Sequence, residues 1–596
     1  MEFLILPDHP AAARHTHQDD GRQVLPHPSG RPWIVGRWDA ASLTQVTAGR
    51  NRLALLGATH VDPATLRPRL ARARTVEDLD PLARTLPGSV HLVASIDGRV
   101  RAQGSVSTVR QICHATVDGI TLAGDRPQVL AALTGGDVRE ETLALWMLAP
   151  FGPPWPLSGQ ALWDGVRTVP PDAHLVIDPD GTSRTRRWWT APEPQVPLAE
   201  GAQALRAALI DAVAARCGDG TLVSCDLSGG MDSTSLCFLA ARHTDDLVTV
   251  HYEALDPSNN DRRWAQRCRA ELPEARHVVV PPGGAPAWYA DLAVAEPDPE
   301  GPLPFARSRA QTEHLARTVA GHGATRHLQG IGGDELFHPS ALYLHALVRR
   351  HPREAMTLVR AARAMRRWSL ARTVRNLTAL PAFPRWLAGT ADGLVDPRTD
   401  HRDMDWELAP KMPPWATPDA VHAARRLLAE AAAQRPGPLA EPPVHHEMLR
   451  LLQVDGAAVR RNSRLAETFG VAFHAPYLDD RVIEAAMAIR LPDRMVPGRQ
   501  KPVLAAAMRG LVPHVLDRRT KGDASAELYA GLRRHRAELI DLCADSRLAR
   551  LGLADPGALR SVVEGVHADT RPFMPFDPTL GLELWLRALD REPTPA

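Results

Sequence analysis

Residues 225–236, CDLSGGMDSTSL, place glycines and a serine between an apolar run and a helical pattern. The apolar run predicts a strand that ends at Leu227, followed by a turn of Ser228, Gly229 and Gly230. Glycines let backbone amides approach an anion closely, and the N-terminus of the following helix adds its dipole and free N–H groups. The stretch therefore indicates an anion site, although an ordinary glycine-rich turn between strand and helix is the alternative.

The polar residues of this turn favour pyrophosphate as the anion. Asp232 stands where a Mg²⁺ ion that bridges phosphates would need a carboxylate, and Ser228 and Ser233 can donate to phosphate oxygens. The stretch matches neither the GxxxxGK[ST] loop nor the GxGxxG fingerprint. It predicts a phosphate site of a different kind.

A second glycine-rich turn lies about a hundred residues downstream. QGIGGDELF, residues 329–337, also follows a predicted strand and presents Gly332 and Gly333 before Asp334. In a parallel sheet both turns would lie at the carboxyl ends of strands, where ligands of such folds bind. We therefore expect Asp232 and Asp334 to share one metal ion.

Two regions of different texture must position these turns. From about residue 30 to 190, short β-like runs alternate with hairpin signals, the Asp-Gly pairs at 97 and 118 and Pro-Asp-Gly at 179, which predicts a mainly antiparallel sheet region. A Pro-rich linker at 190–201 follows. Beyond it, apolar strands alternate with helical stretches, the pattern of a parallel sheet wrapped by helices, and residues 340–450 are helical with a Pro-rich interruption.

Composition restricts the class of protein. The 596 residues are 44% hydrophobic and 23% charged with a net charge of +1, typical of a soluble multidomain enzyme rather than a nucleic-acid binder. No run approaches the roughly 18 apolar residues of a membrane span, and the N-terminus lacks the features of a signal peptide, so we expect a cytoplasmic protein without membrane or nucleic-acid partners. Six scattered cysteines indicate neither a disulfide framework nor a zinc site.

Lysine is scarce in this arginine-rich chain. The sequence contains only Lys411, Lys501 and Lys521. Where lysine is retained in such a chain, its compact ammonium is a candidate for a specific role.

The two turns together carry a resemblance. SGGxDS and GxGxDE, in this order and spacing, resemble the ATP-pyrophosphatase synthetase domain of the asparagine synthetase superfamily. Residues 474–479, HAPYLD, are similar to that family's RxPFLD segment, and KPVLAAAM and LVPHVLDRRTKGDAS follow as they do in the family. The resemblance covers residues 200–530. It implies that a carboxylate attacks the α-phosphate of ATP to give an acyl-adenylate and pyrophosphate, and that an amine then displaces AMP.

The resemblance also assigns roles to residues. The catalytic set it implies is Lys521, Asp232 and Asp334, with Asp232 and Asp334 as the Mg²⁺ ligands. The nucleotide-binding set it implies is Leu227, Ser228, Gly229, Gly230, Asp232, Ser233, Gly332, Gly333 and Lys521. Leu227 and the strand VTVHYEAL would flank the adenine. For Lys501 a structural salt bridge and a functional role remain equally open.

The fold implied is α/β with two domains. Residues 1–195 are expected to form a glutaminase-like α+β sandwich of the N-terminal nucleophile type. This domain is expected to be degenerate, because the mature chain of the family's glutamine-dependent members begins with a catalytic cysteine, whereas here Glu2 follows Met1 and the first cysteine is Cys113. Residues 196–596 are expected to form the ATP-pyrophosphatase domain, of the adenine nucleotide α-hydrolase type, with extra helices. Loss of the cysteine argues against glutamine hydrolysis and favours a scaffold role for the first domain.

Further departures narrow the reaction. Ile331 stands where asparagine synthetases carry an acid and β-lactam synthetase a tyrosine, and isoleucine cannot handle a proton. Residues 337–340, FHPS, replace the family's common Gly-Gly-Tyr and leave the local loop conformation open. An α-amino group, with a pKa near 7.7–8.0, is already partly neutral at physiological pH. A peptide N-terminus therefore suits this site as nucleophile.

Among members without the cysteine, the chain most resembles the lasso-peptide macrolactam synthetases. Such an enzyme adenylates an internal Asp or Glu side chain of a leader-free core peptide and closes an isopeptide ring with the peptide's N-terminal amine. The implied partners are the core peptide, a leader peptidase and a leader-binding protein. Residues 340–450 are the expected wall of the substrate cavity, ordinary packing being the alternative for the tryptophans Trp368, Trp386, Trp406 and Trp415.

Two other functions remain open at this stage. One is a small-molecule synthetase of the same superfamily, for asparagine or a β-lactam, against which Ile331 counts. The other is a non-catalytic nucleotide-binding scaffold, against which the retention of Asp232, Asp334 and Lys521 counts.

Overall fold

The first part of the chain is a sandwich of two antiparallel sheets. The computed structural model describes residues 1–15, 21–218, 220–294, 298–338, 340–395, 404–496, 499–513 and 525–590. The strands of the sandwich are β1 Glu2–Ile5, β2 Gln23–Pro26, β3 Pro32–Arg37, β4 Leu43–Ala48, β5 Asn51–Ala58, β6 Ser89–Ile96, β7 Arg99–Gln103, β8 Cys113–Val117, β9 Ile120–Gly124, β10 Val166–Thr168, β11 Ala173–Ile177 and β12 Ser183–Arg187. Its helices are α1 Pro63–Arg72, α2 Asp80–Thr85, α3 Pro127–Thr134 and α4 Glu140–Trp146.

The two sheets bury one core between them. Their strand orders are β10-β8-β9-β1-β3-β2 and β12-β11-β7-β6-β5-β4. Trp33 and Phe3 of the first sheet pack in the same apolar cluster as Leu56 and Leu175 of the second. The predicted α+β sandwich is therefore confirmed.

The predicted Asp-Gly hairpins are also confirmed. Asp97 and Gly98 join β6 to β7 with φ of 49° and 80°, and Asp118 and Gly119 join β8 to β9 with φ of 50° and 81°. Two successive positive φ angles match the twist of antiparallel strands, and Asp-Gly tolerates them.

The second part of the chain is built on a five-stranded parallel sheet, as predicted. Its strands are β13 Val223–Asp226, β14 Leu247–Tyr252, β15 Arg276–Val280, β16 Arg326–Leu328 and β17 Ala472–His474. They lie in the order β15-β14-β13-β16-β17. The order reverses between β13 and β16, and ligands of open α/β sheets bind at such a switch point.

Helices cover this sheet and extend beyond it. Those that precede, connect or directly follow its strands are α5 Leu198–Cys217, α6 Met231–Ala240, α7 Asp261–Ala270, α8 Arg309–Gly321 and α9 Gly333–Phe337. The helical region predicted at 340–450 contains α10 Leu342–Arg350, α11 Pro352–Arg366, α12 Leu370–Thr378, α13 Phe383–Asp392, α14 Pro418–Ala433 and α15 Pro443–Glu467. The remaining helices are α16 Asp480–Met487, α17 Pro502–Ala507, α18 Ser525–Arg534, α19 Arg536–Ala544, α20 Arg547–Arg550, α21 Pro556–Glu564 and α22 Phe576–Leu589. No helix in the described part of the chain combines the length and the apolar composition needed to cross a bilayer.

One of the places where the sandwich and the parallel-sheet part meet is the segment 476–480. The backbone N–H of Val106 donates to Asp480 Oδ1 at 2.8 Å, and the hydroxyl of Ser107 donates to the carbonyl of Leu478 at 2.7 Å. Gly456 of α15 lies close to the loop at 105–108. A Cβ at this glycine would stand 1.8 Å from the carbonyl oxygen of Ser107. The two parts are thus directly bonded to each other.

Candidate functional site

The first turn follows β13 and leads into α6. Ser228 and Ser233 bind each other through their hydroxyl oxygens at 2.8 Å, and the backbone N–H groups of Ser228 and Gly230 donate to these hydroxyls at 3.2 Å each. Gly230 caps α6 without a side-chain hydrogen bond. The N–H groups of the first helical turn therefore face the turn with their partial positive charge, which suits an anion.

The glycines of both turns mainly make room for other parts of the protein. Gly229 has φ of 73°, and a Cβ there would lie 2.5 Å from the backbone nitrogen of Ala265. A Cβ on Gly332, at φ of 89°, would lie 2.6 Å from Leu478 Cδ2, and one on Gly333 would lie 2.5 Å from Asp232 Cγ. The sequence predicts that these glycines let an anion approach, and this stays a prediction, while the structure adds that they also admit a neighbouring segment.

The second turn, between β16 and α9, packs directly on the first. Gly330 and Gly333 contact the backbone and side chain of Asp232 and Ser233 too closely to carry a Cβ. The carboxylates of Asp232 and Asp334 consequently converge on one point. Their predicted proximity is borne out by the packing of the two turns.

Lys501 lies at the point where these carboxylates converge. Its Nζ forms an ion pair with Asp232 Oδ2 and a second one with Asp334 Oδ1, the latter at 2.7 Å. Lys501 is buried and has φ of 47°, a left-handed conformation that costs a non-glycine residue energy. The structure thus gives Lys501 the salt bridge that the sequence left open, and places that salt bridge inside the site.

Lys521, the expected catalytic lysine, lies outside the described residues.

Tyr477 supports the first turn from below. Its hydroxyl donates to the backbone carbonyl of Asp232 at 3.0 Å, and its ring packs edge-on against Phe337 of α9. The HAPYLD segment was recognised in the sequence, but no role was assigned to this tyrosine. Its neighbour Asp479 forms a buried bidentate pair with Arg216 of α5, with both N–O distances below 3 Å.

A cavity of about 770 Å³, called cavity A here, opens above the two turns. Of the predicted residues, Ser228, Gly230, Asp232, Ser233 and Asp334 line it. Leu227 is fully buried and, like Gly229, Gly332 and Gly333, lies behind the wall. The end of β14 and the residues after it also line cavity A, consistent with the strand expected to flank the adenine.

His251 of β14 is among the residues that line cavity A. Its Nδ1 lies 3.1 Å from the carbonyl of Leu227, so Nδ1 carries the proton and Nε2 is the acceptor. Nε2 is buried and has no hydrogen-bond partner within the described residues. Burial lowers the pKa of His251, which keeps the ring neutral.

A second cavity, of about 400 Å³ and called cavity B here, adjoins the first. Cavities A and B share Asp334, Gln500 and Lys501. The remaining wall of cavity B comes largely from α9, α10 and α15, and includes Glu335, Tyr343, Glu447 and Arg494. A ligand in cavity B can therefore reach the carboxylates that face cavity A.

A further carboxyl group, that of Asp455, contacts Glu335 in the wall of cavity B. Asp455 of α15 is hydrogen-bonded to Glu335, and burial together with the charge of Glu335 raises the pKa of Asp455 to about 9. At neutral pH Asp455 is therefore protonated and donates to Glu335.

Ile331 lines cavity A, so the position of the family's proton-handling residue is apolar in the folded protein as well.

The four tryptophans expected at the cavity wall are instead buried in hydrophobic cores. Trp386 and Trp406 stack around Phe383, while Trp368 and Trp415 pack in two other clusters. None of the four lines cavity A or B. The four tryptophans therefore fit the alternative interpretation, in which they contribute to ordinary core packing.

The six cysteines are all buried, and none of them forms a disulfide. Within the described residues, no group of three or more His, Cys, Asp or Glu side chains is arranged to hold a metal ion. Mg²⁺ usually takes one or two protein carboxylates together with substrate phosphates, and Asp232 and Asp334 fit that donor set.

The sequence matches the family model described as asparagine synthase over residues 204–587. No curated protein matches the chain. Among solved structures, the chain is similar to the allosteric regulatory enzyme of purine biosynthesis (10% identity over 48% of this chain and 81% of that one, TM-score 0.22). It is also similar to glutamine phosphoribosylpyrophosphate amidotransferase from B. subtilis complexed with ADP and GMP (9% identity, 55% and 74%, TM-score 0.20). TM-scores this low support no conclusion about the structure or function of this protein.

Proposed function

Because this chain belongs to the asparagine synthase family, we propose that it is an ATP-dependent, AMP-forming macrolactam synthetase of a lasso-peptide pathway. The family match supports an ATP-dependent ligase that forms amide bonds. The finer proposal is that the acid is an internal Asp or Glu side chain of a leader-free core peptide and that the amine is the N-terminus of the same peptide. The observation that carries the proposal is the junction of cavities A and B at Asp334, Gln500 and Lys501.

In this proposal cavity A binds ATP. The N-terminus of α6 and the hydroxyls of Ser228 and Ser233 would hold the departing pyrophosphate, since the two hydroxyls can turn from each other to phosphate oxygens. Asp232 and Asp334 would hold Mg²⁺, which supplies charge neutralisation at the phosphates. Lys501 keeps these two carboxylates at one point and brings a positive charge to the place where pyrophosphate leaves.

The chemistry follows from the junction. An oxygen of the acceptor carboxylate forms a bond to the α-phosphorus, the bond to the β,γ-pyrophosphate breaks, and the acid becomes an acyl-adenylate. The amine nitrogen then bonds to the acyl carbon, the bond from that carbon to the oxygen it shares with the phosphate breaks, AMP leaves with the electron pair of that bond, and the amine loses a proton. A carboxylate cannot be displaced directly because its oxygen is a poor leaving group, so adenylation must come first.

Two features support a peptide amine over ammonia. Ile331 offers no base, which suits an α-amine that is already partly neutral at physiological pH. Cavity B has the volume of a site for a drug-sized ligand, far more than ammonia needs. We also propose a leader peptidase and a leader-binding protein as partners, and a cytoplasmic location, which the use of ATP and the absence of disulfides among the six cysteines support.

The test is mass spectrometry of a reaction that contains the protein, ATP, Mg²⁺ and the leader-free peptide encoded beside its gene, with AMP release followed in parallel. The expected product is lighter by one water and resists amino-terminal labelling. Asp232→Asn should abolish both product and AMP, while Asp246→Asn, which changes an exposed carboxylate before β14, should leave both unchanged. Adenylation of free aspartate or of another small acid, without cyclisation of any peptide, would favour the small-molecule alternative. Full turnover by Asp232→Asn would refute the site assignment.

A further inference from the structure

Arg494 stands apart from the other buried arginines of the protein. In the described part of the chain five arginines are buried. Four of them form ion pairs with carboxylates: Arg101 with Asp80, Arg216 with Asp479, Arg450 with Glu407 and Arg461 with Asp298. Arg494 forms no ion pair with any carboxylate of the described residues, although only 4% of it is exposed.

The guanidinium of Arg494 is only partly satisfied. One terminal nitrogen, Nη2, donates to the carbonyl of Leu336 at 2.7 Å and lies 3.9 Å from the sulfur of Met448. The other, Nη1, is buried and has no hydrogen-bond partner among the described residues. A buried charge without a counter-ion is costly, and arginine keeps its charge under all ordinary conditions.

None of the carboxylates that line cavity B with Arg494, namely Asp334, Glu335 and Glu447, forms an ion pair with it, and two titratable groups near it are uncharged. The hydroxyl of Tyr343 donates to the carbonyl of Leu491, and burial raises the pKa of that hydroxyl, which keeps it neutral. Burial and the charge of Arg494 lower the pKa of His445 to about 3, so this ring is neutral too. The positive charge is therefore left for a ligand.

Arg494 lines cavity B within about one helical turn of Asp334, because its bonding partner Leu336 lies two residues after Asp334 on the short helix α9. A group bound at Nη1 therefore lies close to the junction with cavity A. A carboxylate is the group that matches the planar donors of a guanidinium.

We infer that Arg494 positions the carboxylate that is to be adenylated, with Nη1 as its donor in cavity B. This inference rests on the proposed amide-forming function and adds to it the acceptor subsite. One carboxylate oxygen accepts from Arg494, and the other is directed towards the α-phosphate at the junction. After adenylation the acyl group is uncharged, and the hold of Arg494 on it weakens.

The test measures binding of a defined carboxylate to the full-length protein by isothermal titration calorimetry, without nucleotide. The probes are N-acetyl-aspartate N-methylamide and N-acetyl-glutamate N-methylamide, and their asparagine and glutamine counterparts serve as isosteres without charge. The wild-type protein should bind at least one of the acids and neither amide. Arg494→Lys keeps a positive charge and a donor for Leu336 but loses the planar pair of donors, so the dissociation constant of the acid should rise about tenfold.

Arg494→Gln should weaken binding further, and Arg349→Gln, an exposed arginine on α10, should change nothing. Unchanged thermal unfolding of Arg494→Lys would show that the loss is local. The inference fails if the wild-type protein binds neither acid, or if Arg494→Lys and Arg494→Gln bind the acid as the wild type does. It also fails if the variants weaken ATP instead, since Arg494 would then contact the nucleotide.

The same probes separate this inference from the proposed function. Hydroxylamine traps an acyl-adenylate as a hydroxamate, so adenylation of the probes can be followed without the natural amine. Hydroxamate formation that depends on Arg494, without cyclisation of the peptide, would support the acceptor subsite and count against the lasso-peptide role. Cyclisation of the peptide, together with probe binding that does not depend on Arg494, would support the lasso-peptide role and count against the acceptor subsite.

Discussion

Removing the ammonium of Lys501 should make the stability of the protein depend on Mg²⁺. In Lys501→Met, the carboxylates of Asp232 and Asp334 lose the charge that both of them contact. Since both oxygens lie within hydrogen-bonding distance of one nitrogen, they are about 5 Å apart. At an effective dielectric constant near 20, two such charges repel each other by about 3 kcal/mol.

Screening by solvent reduces the repulsion between the two carboxylates. The side chain of Asp334 is 42% exposed, so we expect a loss of about 1–2 kcal/mol in the free energy of unfolding without Mg²⁺. Mg²⁺ in excess should restore that loss in the variant and have a smaller effect on the wild-type protein, because a ligand that binds only the folded state stabilises it by mass action.

The assay is urea unfolding of both proteins in EDTA and in excess Mg²⁺. Lys411→Met is the matched control, because Lys411 donates to the carbonyl of Gly393 in the helical region and any change in its stability should not depend on Mg²⁺. Equal unfolding midpoints for Lys501→Met and the wild type in EDTA, with no effect of Mg²⁺ on either, would refute the reasoning.

Three further predictions concern Asp480, Gly456 and His251. Burial raises the pKa of Asp480 to about 7, so its contribution to stability is complete below pH 4 and is lost as the pH rises to 7. Asp480→Asn, which can still accept from Val106, should match the wild type near pH 4 and exceed it by at most about 4 kcal/mol at pH 8 in chemical unfolding, and equal differences at both pH values would contradict this. Gly456→Ala should lower the free energy of unfolding by about 1–3 kcal/mol, because its Cβ meets a backbone carbonyl, and an unaltered urea midpoint would contradict the close approach. His251→Phe should raise the KM for ATP about tenfold and remove the preference for ATP over ITP, since the 6-amino group of adenine is a donor for Nε2, and a retained preference in steady-state kinetics would exclude that contact.

Local rules predicted much of the fold. The Asp-Gly pairs at 97 and 118 form the expected turns because two successive positive φ angles are a property of the dipeptide itself. The proximity of Asp232 and Asp334 follows from one general rule, that turns after neighbouring parallel strands meet at the same edge of a sheet.

The missed features depend on contacts between distant segments. Tyr477 reaches the backbone of Asp232 across 245 positions of the chain, and Arg494 reaches Leu336 across 158. The lysine count singled out Lys501 without indicating that it joins two aspartates. The glycines stand in the turns where they were predicted, and their contacts with other segments were missed, because a glycine in a sequence indicates close approach without saying what approaches.

The segment 476–480 has a consequence for how the protein unfolds. Its residues bond to α5, to the loop at 105–108 and to the first turn of the site. Melting of the sandwich would leave the carbonyl of Leu478 and the carboxyl of Asp480 without their donors, and the turn that holds Asp232 would lose its support soon after. Calorimetry should therefore record one cooperative transition for both domains, with a van't Hoff enthalpy equal to the calorimetric one.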